Sequence, residues 1–421
     1  MSGSANSRRE FLTQSAKLAT AAGLATATVA EAMSPARPWG SKLKVTAGPR
    51  PRSIGPNDVI RFGLIGVGGQ GRHDLPRLLK FNPRLSVKTI ADPDPENVKQ
   101  ALQIVKEVTG ETPEVYPGFD DWKDKLLARD DVDAILTATP CYMHGPIYLG
   151  CFAAGKHFYG EKPLCIEANE ADALVEAQRK NPEVQAQIGF QRRGTKLYPE
   201  GIKRIRDGVV GDLIEGRGAW NNSWGPLGMA NEVAKTWPGR VWFGRRKYSG
   251  DWMLEQACHT WDVFCWVTGK APVAAMGLGR PDVYKDLDPL RDVTDFYFAN
   301  IEFAGGFMVD FQHSWICPKK DPHNKFNGVF ERVAGRKGGI LLNEGIVLPR
   351  EDKGEIETYK PDDGDHYVAS LKAFVNSIRT HAPVVSSVET ARLATYTGLL
   401  VRKAVDERRR VEIKELGYKV M

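Results

Sequence analysis

Apolar positions along the first part of the chain follow two patterns in turn, short apolar runs and helical spacing. Residues 59–65 form a short apolar run, and a helical spacing of apolar positions follows at His73–Leu79. A second apolar run at Ser86–Ala91 and a helical stretch at Glu96–Val108 continue the same alternation. Strands that alternate with helices in this way predict an α/β fold with a parallel, doubly wound Rossmann sheet.

After about residue 184, longer segments with alternating apolar and polar positions replace the strand–helix pattern. Asp295–Gln312 alternates on both sides of Gly305-Gly306, which predicts a hairpin with a glycine turn. Two extended and two helical patterns follow, at Gly328–Leu342, Ile346–Tyr359, His366–Thr380 and Ser387–Arg409. We therefore expect a Rossmann domain over residues 59–183 and an α+β domain over residues 184–421.

The N-terminal region resembles a targeting segment rather than part of the fold. Arg8-Arg9 precedes a mildly apolar, alanine-rich stretch, and Ala30-Glu31-Ala32 offers the small side chains that a signal peptidase accepts. We expect residues 1–32 to be a twin-arginine signal peptide and residues 33–58 to be a linker. The protein would then be periplasmic or otherwise extracytoplasmic. The alternative is an ordinary amphipathic helix at the N terminus.

Composition narrows the class of protein further. Hydrophobic residues make up 42% of the 421-residue chain and charged residues 26%, which is typical of globular proteins. Part of the net charge of +6 lies near the N terminus, so nothing indicates nucleic-acid binding. We expect no membrane span after signal removal, because no long apolar run follows. The six cysteines form no Cys-x-x-Cys pair, and we expect no metal site.

A glycine-rich loop stands directly between the first predicted strand and the first predicted helix. In that context G-x-G-x-x-G binds the pyrophosphate of a dinucleotide. Its first glycine permits the tight turn, its second lets the backbone approach the phosphates, and its third lets helix and strand pack closely. We expect these residues to contact the cofactor: Gly66, Gly68, Gly69, Gln70 and Gly71.

Asp92 ends the second predicted strand, 21 residues beyond Gly71. A carboxylate near this spacing accepts hydrogen bonds from the adenosine ribose hydroxyls and repels the 2′-phosphate of NADP. The sequence therefore favours NAD over NADP. The alternative role for Asp92 is to cap the helix that follows Pro93.

Further motifs follow the next two strands. The strand Val132–Pro140 should place Thr139 and Pro140 at the ligand edge of the sheet, with His144 just beyond. A short strand then leads into Gly160-Glu161-Lys162-Pro163. Together with the glycine loop, Asp92 and Gly189–Arg193, these motifs resemble the Gfo/Idh/MocA family of glucose–fructose oxidoreductases and inositol dehydrogenases. The resemblance runs from about Val59 to Ile413.

This resemblance implies an NAD(P)-dependent oxidoreductase that acts on CH–OH groups. Such an enzyme transfers a hydride between C4 of the nicotinamide and a carbinol carbon of a sugar or polyol. The cofactor would also contact Thr139, Pro140, His144, Glu161, Lys162 and Gln191. The substrate would contact Arg192, Lys162 and His259. The resemblance also implies that residues 184–421 form an open, mostly antiparallel sheet that carries the substrate site and often the dimer contact. We therefore expect a homo-oligomer, either a dimer or a tetramer.

The candidate catalytic residues lie between Asp251 and Asp262. If this segment is one helix, Glu255 and His259 share a face, and Asp262 lies one turn further on. A carboxylate beside an imidazole orients the ring and stabilises its protonated form. His259 is the candidate base, and Lys162 the cation that holds the oxygen, since the pKa of lysine falls readily in a dry site. The family has Asp at the position of Glu255.

A second function fits the same residues. A redox-neutral enzyme that retains NAD would oxidise a sugar hydroxyl transiently, eliminate the group at the anomeric carbon and return the hydride. Export favours this alternative, because free NAD is scarce outside the cytoplasm. A third alternative is a dinucleotide-binding sensor or scaffold without catalysis, against which the presence of Lys162 and His259 argues.

Overall fold

The structure is a computed structural model, and it describes residues 45–81, 84–222, 238–323, 325–362 and 364–420. The predicted signal peptide and residues 33–44 of the predicted linker lie outside these ranges. Residues 45–58 run along the first domain, where the Gly48 amide donates to Asn181 Oδ1 at 2.7 Å. Ile54 is buried in the same stretch. This part of the predicted linker is therefore held against the fold.

The first sheet is parallel throughout, as predicted. Its strand order is β3-β2-β1-β4-β5-β6, so the order reverses between β1 and β4, and the ligand crevice lies at the carboxyl ends there. The strands are β1 Ile60–Val67, β2 Leu85–Ala91, β3 Glu114–Tyr116, β4 Ala134–Ala138, β5 His157–Gly160 and β6 Ala186–Ile188. The helices of this region are α1 Gly69–Lys80, α2 Pro95–Thr109, α3 His144–Ala153 and α4 Ala168–Lys180.

The second sheet is mostly antiparallel and follows the order β14-β13-β12-β11-β7-β10-β9-β8-β15. Only the β10–β7 pair within it is parallel among the described strands. The predicted hairpin is confirmed as β9 and β10, joined at Gly305 and Gly306 with φ of 96° and 86°. The strands are β7 Leu213–Asn221, β8 Pro272–Arg280, β9 Phe296–Phe303, β10 Met308–Ser314, β11 Gly328–Gly335, β12 Gly338–Leu341, β13 Ile346–Pro349, β14 Glu357–Thr358 and β15 Val411–Glu412.

The condition that residues 251–262 form one helix, on which the shared face of Glu255 and His259 depended, is not met. The chain forms two helices there, and the Glu255 carbonyl accepts the Lys162 ammonium at 2.7 Å instead of continuing the helical ladder. A side chain that inserts into the ladder in this way breaks a helix. The helices after β6 are α5 Leu197–Arg206, α6 Arg246–Ser249, α7 Trp252–Glu255, α8 Cys258–Thr268, α9 His366–Thr380 and α10 Val388–Glu407. None of the described helices has the length and apolarity to cross a membrane.

The expected boundary between residues 183 and 184 does not match the packing. β6 pairs with β5 in the first sheet, although it begins after that boundary. The chain also returns to this domain late, because α9 buries Leu371 and Phe374 in the same core as β1. The Phe374 ring meets the Phe62 ring edge-on, with 6.5 Å between centroids. The boundary could not be predicted from local patterns, because β6 has only three residues and α9 is distant in the chain.

Asp133 anchors the N-terminal stretch at the amino end of β4. Its carboxylate accepts Arg52 Nε at 2.8 Å and Arg61 Nη2 at 2.6 Å, and its side chain is 1% exposed. Burial opposes the charge, but the two arginines outweigh burial and hold the pKa of Asp133 below its usual range. A carboxylate with a lowered pKa stabilises the fold above its unfolded pKa, and this contribution is lost as pH falls through the folded pKa.

We predict that Asp133→Asn lowers the free energy of unfolding by about 2 kcal/mol at pH 7, because both arginines lose their acceptor charge. Denaturant midpoints of the two proteins should differ by a constant amount above about pH 5 and converge as pH falls below about 4. A difference that grows on acidification would contradict this account of the ion pair.

Candidate active site

The glycine-rich loop has the geometry that a dinucleotide phosphate needs. Gly66 has a φ of 78°, and a Cβ there would lie 2.7 Å from Thr139 Cγ2. A Cβ on Gly71 would lie 2.4 Å from the Gly66 carbonyl oxygen, which shows how closely α1 packs against β1. By contrast, a Cβ on Gly68 would meet nothing nearer than Asn97 Nδ2 at 3.9 Å. The space at Gly68 therefore fits a pyrophosphate at the N terminus of α1.

Asp92 is 6% exposed at the carboxyl end of β2. Its Oδ2 accepts the Val67 N–H and its Oδ1 accepts the Asp94 N–H, both at 2.8 Å. Burial raises the pKa of this carboxyl, although the two N–H groups oppose that effect. Each oxygen can take a second hydrogen bond, so a ribose hydroxyl remains a suitable partner. Asp92 does not cap α2, because Asp94 fills that role by accepting the Glu96 N–H at 2.9 Å.

An apolar recess of about 400 Å³ opens beside Asp92. A flat, mostly apolar ring such as adenine suits a recess of this kind, in which a few polar groups adjoin apolar walls. Together with the glycine loop, this arrangement fits NAD. The recess is lined by Asp92, Pro93, Pro95, Val98, Lys99, Leu102, Val115 and Pro117.

His144 does not face the cleft, in contrast to the prediction that it contacts the cofactor. The residue is 1% exposed, and its Nδ1 and Nε2 lie 2.6 Å and 2.9 Å from the carbonyl oxygens of Pro163 and Thr139. Burial lowers the pKa of His144 to about 4, so the imidazole is neutral. Its role is to join the end of β4 to the segment that carries Lys162. Thr139 and Pro140 do follow the carboxyl end of β4.

Lys162 and Glu255 form an ion pair between the two domains. Lys162 Nζ donates to Glu255 Oε1 at 2.8 Å and to the Glu255 carbonyl oxygen at 2.7 Å. Burial lowers the pKa of Lys162, but the Glu255 carboxylate and the other groups around the ammonium together outweigh burial and raise this pKa. The expectation that a dry site lowers this pKa is therefore wrong, because it left out the carboxylate. Lys162 is held as a permanent cation.

The other predicted cofactor residues lie on α1 and after β5 and β6. Glu161 is 5% exposed and packs against Gly189, where a Cβ would lie 2.6 Å from Glu161 Oε1. Burial, and after it the carboxylate of Asp74, raises the pKa of Glu161 and favours its neutral form. Gln70 donates to Asp74 Oδ1 at 2.9 Å, so its amide is partly engaged within α1. Gln191 begins the 3-10 turn that follows β6.

His259 lies in the first turn of α8, with its ring between two aromatic side chains. It stacks on Trp220 with 5.4 Å between centroids and 17° between planes, and it meets Phe190 edge-on at 5.9 Å. The residue is 7% exposed, and its Nδ1 has no hydrogen-bond partner in the described part of the chain. Burial, together with the cations Lys162 and Arg192, lowers the pKa of His259 well below its usual value. The imidazole is therefore a neutral base.

Neither predicted carboxylate partner contacts His259. Glu255 pairs with Lys162. Since α7 and α8 are separate helices, the i, i+4 relation of Glu255 and His259 does not exist. Asp262 is 1% exposed and accepts Arg193 Nε and Nη2, each at 2.8 Å. Asp262 thus neutralises a buried arginine and does not orient the imidazole.

Arg192, a predicted substrate residue, belongs to the same cluster as His259. Its guanidinium lies over the Trp220 ring, 5.7 Å from the centroid, and its Nη1 donates to Glu331 Oε1 at 2.6 Å. Glu331 is 0% exposed and was missed in the sequence. The alternation of β11, which puts Glu331 on the same buried face as Val333, is the pattern that could have revealed it.

The family of the chain follows from two sequence matches. A family model described as an oxidoreductase family with an NAD-binding Rossmann fold, Gfo/Idh/MocA, matches residues 60–190. The C-terminal domain of the same family matches residues 202–341, and the two matches together cover more than half of the chain. The chain belongs to the Gfo/Idh/MocA family. This confirms the predicted family, the NAD-binding Rossmann domain and the assignment as an NAD(P)-dependent oxidoreductase.

Solved structures of similar fold include two inositol dehydrogenases. A scyllo-inositol dehydrogenase from Lactobacillus casei, solved with NAD(H) and scyllo-inositol, is 20% identical with a TM-score of 0.66, over 85% of this chain and 100% of its own. A putative myo-inositol dehydrogenase from Sinorhizobium meliloti is 20% identical with a TM-score of 0.63, over 84% of this chain and 100% of its own. At this identity the similarity establishes the fold.

Curated relatives carry a different name. A Glycosyl hydrolase family 109 protein of Shewanella pealeana is 28% identical over 39% of this chain and 35% of its own length. A protein of the same name from a Shewanella species, strain W3-18-1, is 28% identical over 51% of this chain and 45% of its own length. The chain thus matches less than half of the length of these relatives.

Two alanine substitutions in the glycine loop should separate cofactor binding from folding. In Gly68→Ala the Cβ enters open space, so the melting temperature should stay unchanged while NAD binds roughly tenfold or more weakly, for lack of a phosphate contact. In Gly71→Ala the clash with Gly66 should also cost about 1–3 kcal/mol of stability. Calorimetric titration with NAD and thermal unfolding measure the two effects. If Gly68→Ala binds NAD normally, the phosphate does not lie at this loop.

Proposed function

We propose that this protein transfers a hydride between C4 of a bound nicotinamide and a carbinol carbon of a sugar or polyol. The observation that carries this proposal is the pairing of a permanent cation with a neutral base beside the cofactor crevice. Lys162 is kept charged by Glu255 at 2.8 Å, while His259 is kept neutral by burial and by nearby cations. Oxidation of an alcohol needs these two groups in those two states.

The proposed roles follow from the charges. The glycine loop and Asp92 would hold NAD, which would supply the hydride acceptor or donor. The Lys162 ammonium polarises the substrate oxygen and stabilises negative charge that develops there. Neutral His259 takes the hydroxyl proton as the hydride leaves, and gives it back in the reverse direction. Glu255 contacts no reacting atom in this scheme and keeps Lys162 charged and oriented.

A second candidate is the redox-neutral cleavage of a glycoside with retained NAD. It is favoured by the relatives named Glycosyl hydrolase family 109 proteins, and by the twin-arginine segment that we propose directs export. The same cation and base would serve its transient oxidation step, and the cofactor would return to its starting state in each turnover. The two candidates differ in whether NADH accumulates.

We further propose that a second copy of the chain covers the outer face of the second sheet. This face exposes large apolar side chains on three neighbouring strands, and such a patch is typical of an interface. Their exposed fractions are 52% for Met276, 47% for Leu278, 45% for Phe298 and 59% for Met308.

We predict that Lys162→Met abolishes turnover and leaves NAD bound, because the cation is lost without disturbing the glycine loop. The assay follows NADH absorbance with scyllo-inositol, myo-inositol and glucose, and release of nitrophenol from nitrophenyl glycosides. NADH without nitrophenol supports the dehydrogenase, and nitrophenol without NADH supports the glycoside-cleaving enzyme. Activity that survives in Lys162→Met would overturn the assignment of this site.

Glu255→Gln is the matched partner variant. It removes the charge that keeps the pKa of Lys162 high and leaves burial, which lowers that pKa. Its activity should therefore match the unmodified protein best at low pH and decline as pH rises through the new pKa of Lys162. An unchanged pH profile would show that the carboxylate does not set the charge of the lysine.

Native mass spectrometry should show an oligomer with an even number of subunits that carries one NAD in each. Phe298→Glu combined with Met308→Glu should give monomers that still carry NAD, because both side chains lie on the exposed sheet face. An oligomer that the double variant leaves intact contradicts the proposed interface.

The protein recovered from the periplasm should lack residues 1–32, because we propose that they are a signal peptide. A full-length periplasmic chain contradicts this proposal.

A further inference from the structure

Glu331 occupies a position where a strand in a core normally carries an apolar side chain. It is 0% exposed on the inner face of β11, between exposed or partly exposed neighbours. In the antiparallel pair β11–β7 it lies opposite Gly218, where a Cβ would meet Thr260 Cγ2 at 3.0 Å. The glycine therefore lets α8 approach the sheet directly beside the carboxylate. A buried charge in such a place is costly unless it is fully hydrogen-bonded.

The carboxylate of Glu331 is hydrogen-bonded by donors from three different elements. Oε1 accepts Arg192 Nη1 at 2.6 Å and Thr260 Oγ1 at 2.7 Å, and Oε2 accepts the Tyr198 hydroxyl at 2.8 Å. Thr260 follows His259 on α8, and Arg192 lies in the turn after β6. One side chain of the second sheet thus fixes both sides of the candidate substrate site.

Arg192 is anchored through one nitrogen only. Its Nε and Nη2 have no hydrogen-bond partner among the described residues, and 12% of the side chain remains exposed. The guanidinium lies over Trp220, and Trp220 stacks in turn on His259. Trp220 thus contacts both Arg192 and His259, and we call these three side chains the Arg192–Trp220–His259 stack. Free guanidinium nitrogens in a fixed plane are suited to donate to hydroxyl oxygens.

We propose that Glu331 is a positioning residue, which holds the Arg192–Trp220–His259 stack in place so that Arg192 binds substrate hydroxyls while His259 faces the reacting one. This proposal rests on the proposed function, since it assigns the stack to the substrate of that reaction. Glu331 itself touches no reacting atom. Its effect on turnover passes through Arg192.

The first test needs no substrate. The imidazole proton signals of His259, identified by their loss in His259→Asn, are shifted upfield by the ring current of Trp220 in the stacked arrangement. Glu331→Gln keeps the size of the side chain and removes its charge, so the stack should loosen and these signals should move downfield. Arg192→Ala should move them in the same direction, and the double variant should move them no further. Unchanged His259 signals in Glu331→Gln would overturn the proposal.

The second test is a double-mutant cycle on kinetics with scyllo-inositol at saturating NAD. Glu331→Gln should raise KM about tenfold, as expected for a weakened charge-assisted contact, and Glu331→Asp should restore part of the loss. In the Arg192→Ala background, Glu331→Gln should change KM by less than about twofold. Equal effects in both backgrounds would show that Glu331 acts independently of Arg192, which overturns the proposal.

Asp133→Asn serves as the control for loss of a buried carboxylate. Its ion pairs lie at the amino end of β4, away from the carboxyl edge, so it should lower stability without changing KM or the His259 signals. If the unmodified protein binds NAD and turns over none of the sugars or glycosides, the proposed function fails. The His259 signals then still decide whether Glu331 holds the stack.

Discussion

The ion pair of Lys162 and Glu255 is the interaction on which the arrangement of the active site depends. It joins the carboxyl end of β5 to α7, so it connects the cofactor domain to the substrate domain. The same ammonium also donates to the Glu255 carbonyl oxygen, at the residue where α7 ends, and α8 begins at Cys258. His259 then lies in the first turn of α8, without a carboxylate beside its ring. The contact therefore helps to keep Lys162 charged, while His259 is kept neutral mainly by burial and then by the cations Lys162 and Arg192.

The features that were predicted correctly from the sequence are those that depend on residues close together in the chain. The strands and helices around the glycine loop follow from apolar periodicity. The tight turn at Gly66 and the close packing at Gly71 follow from backbone geometry that a six-residue motif specifies. The hairpin at Gly305-Gly306 is equally local. Each of these depends on residues that are neighbours in the chain, so no knowledge of tertiary contacts was needed.

The errors arose where a distant residue decides the outcome. The segment 251–262 has a helical pattern, yet a lysine some ninety positions earlier interrupts it. The position of His144 in the sequence predicts a contact with the cofactor. In the structure the residue is buried between two backbone carbonyl oxygens, which its sequence neighbours do not reveal. The boundary at 183/184 failed because α9 returns to the first core from the far end of the chain. Periodicity carries no information about such partners.

Partners that are distant in the chain also decide the charges around His259, whose neutral imidazole lies among cations. Three cations from the carboxyl edge of the first domain each have a buried carboxylate from the second domain, in the pairs Lys162–Glu255, Arg192–Glu331 and Arg193–Asp262. None of these carboxylates contacts His259, so burial of the ring, and after it the cations Lys162 and Arg192, disfavours its protonated form. An imidazolium there is unstable and returns its proton readily. Burial of the ring, and after it the two cations, thus makes His259 suited to carry a proton only briefly.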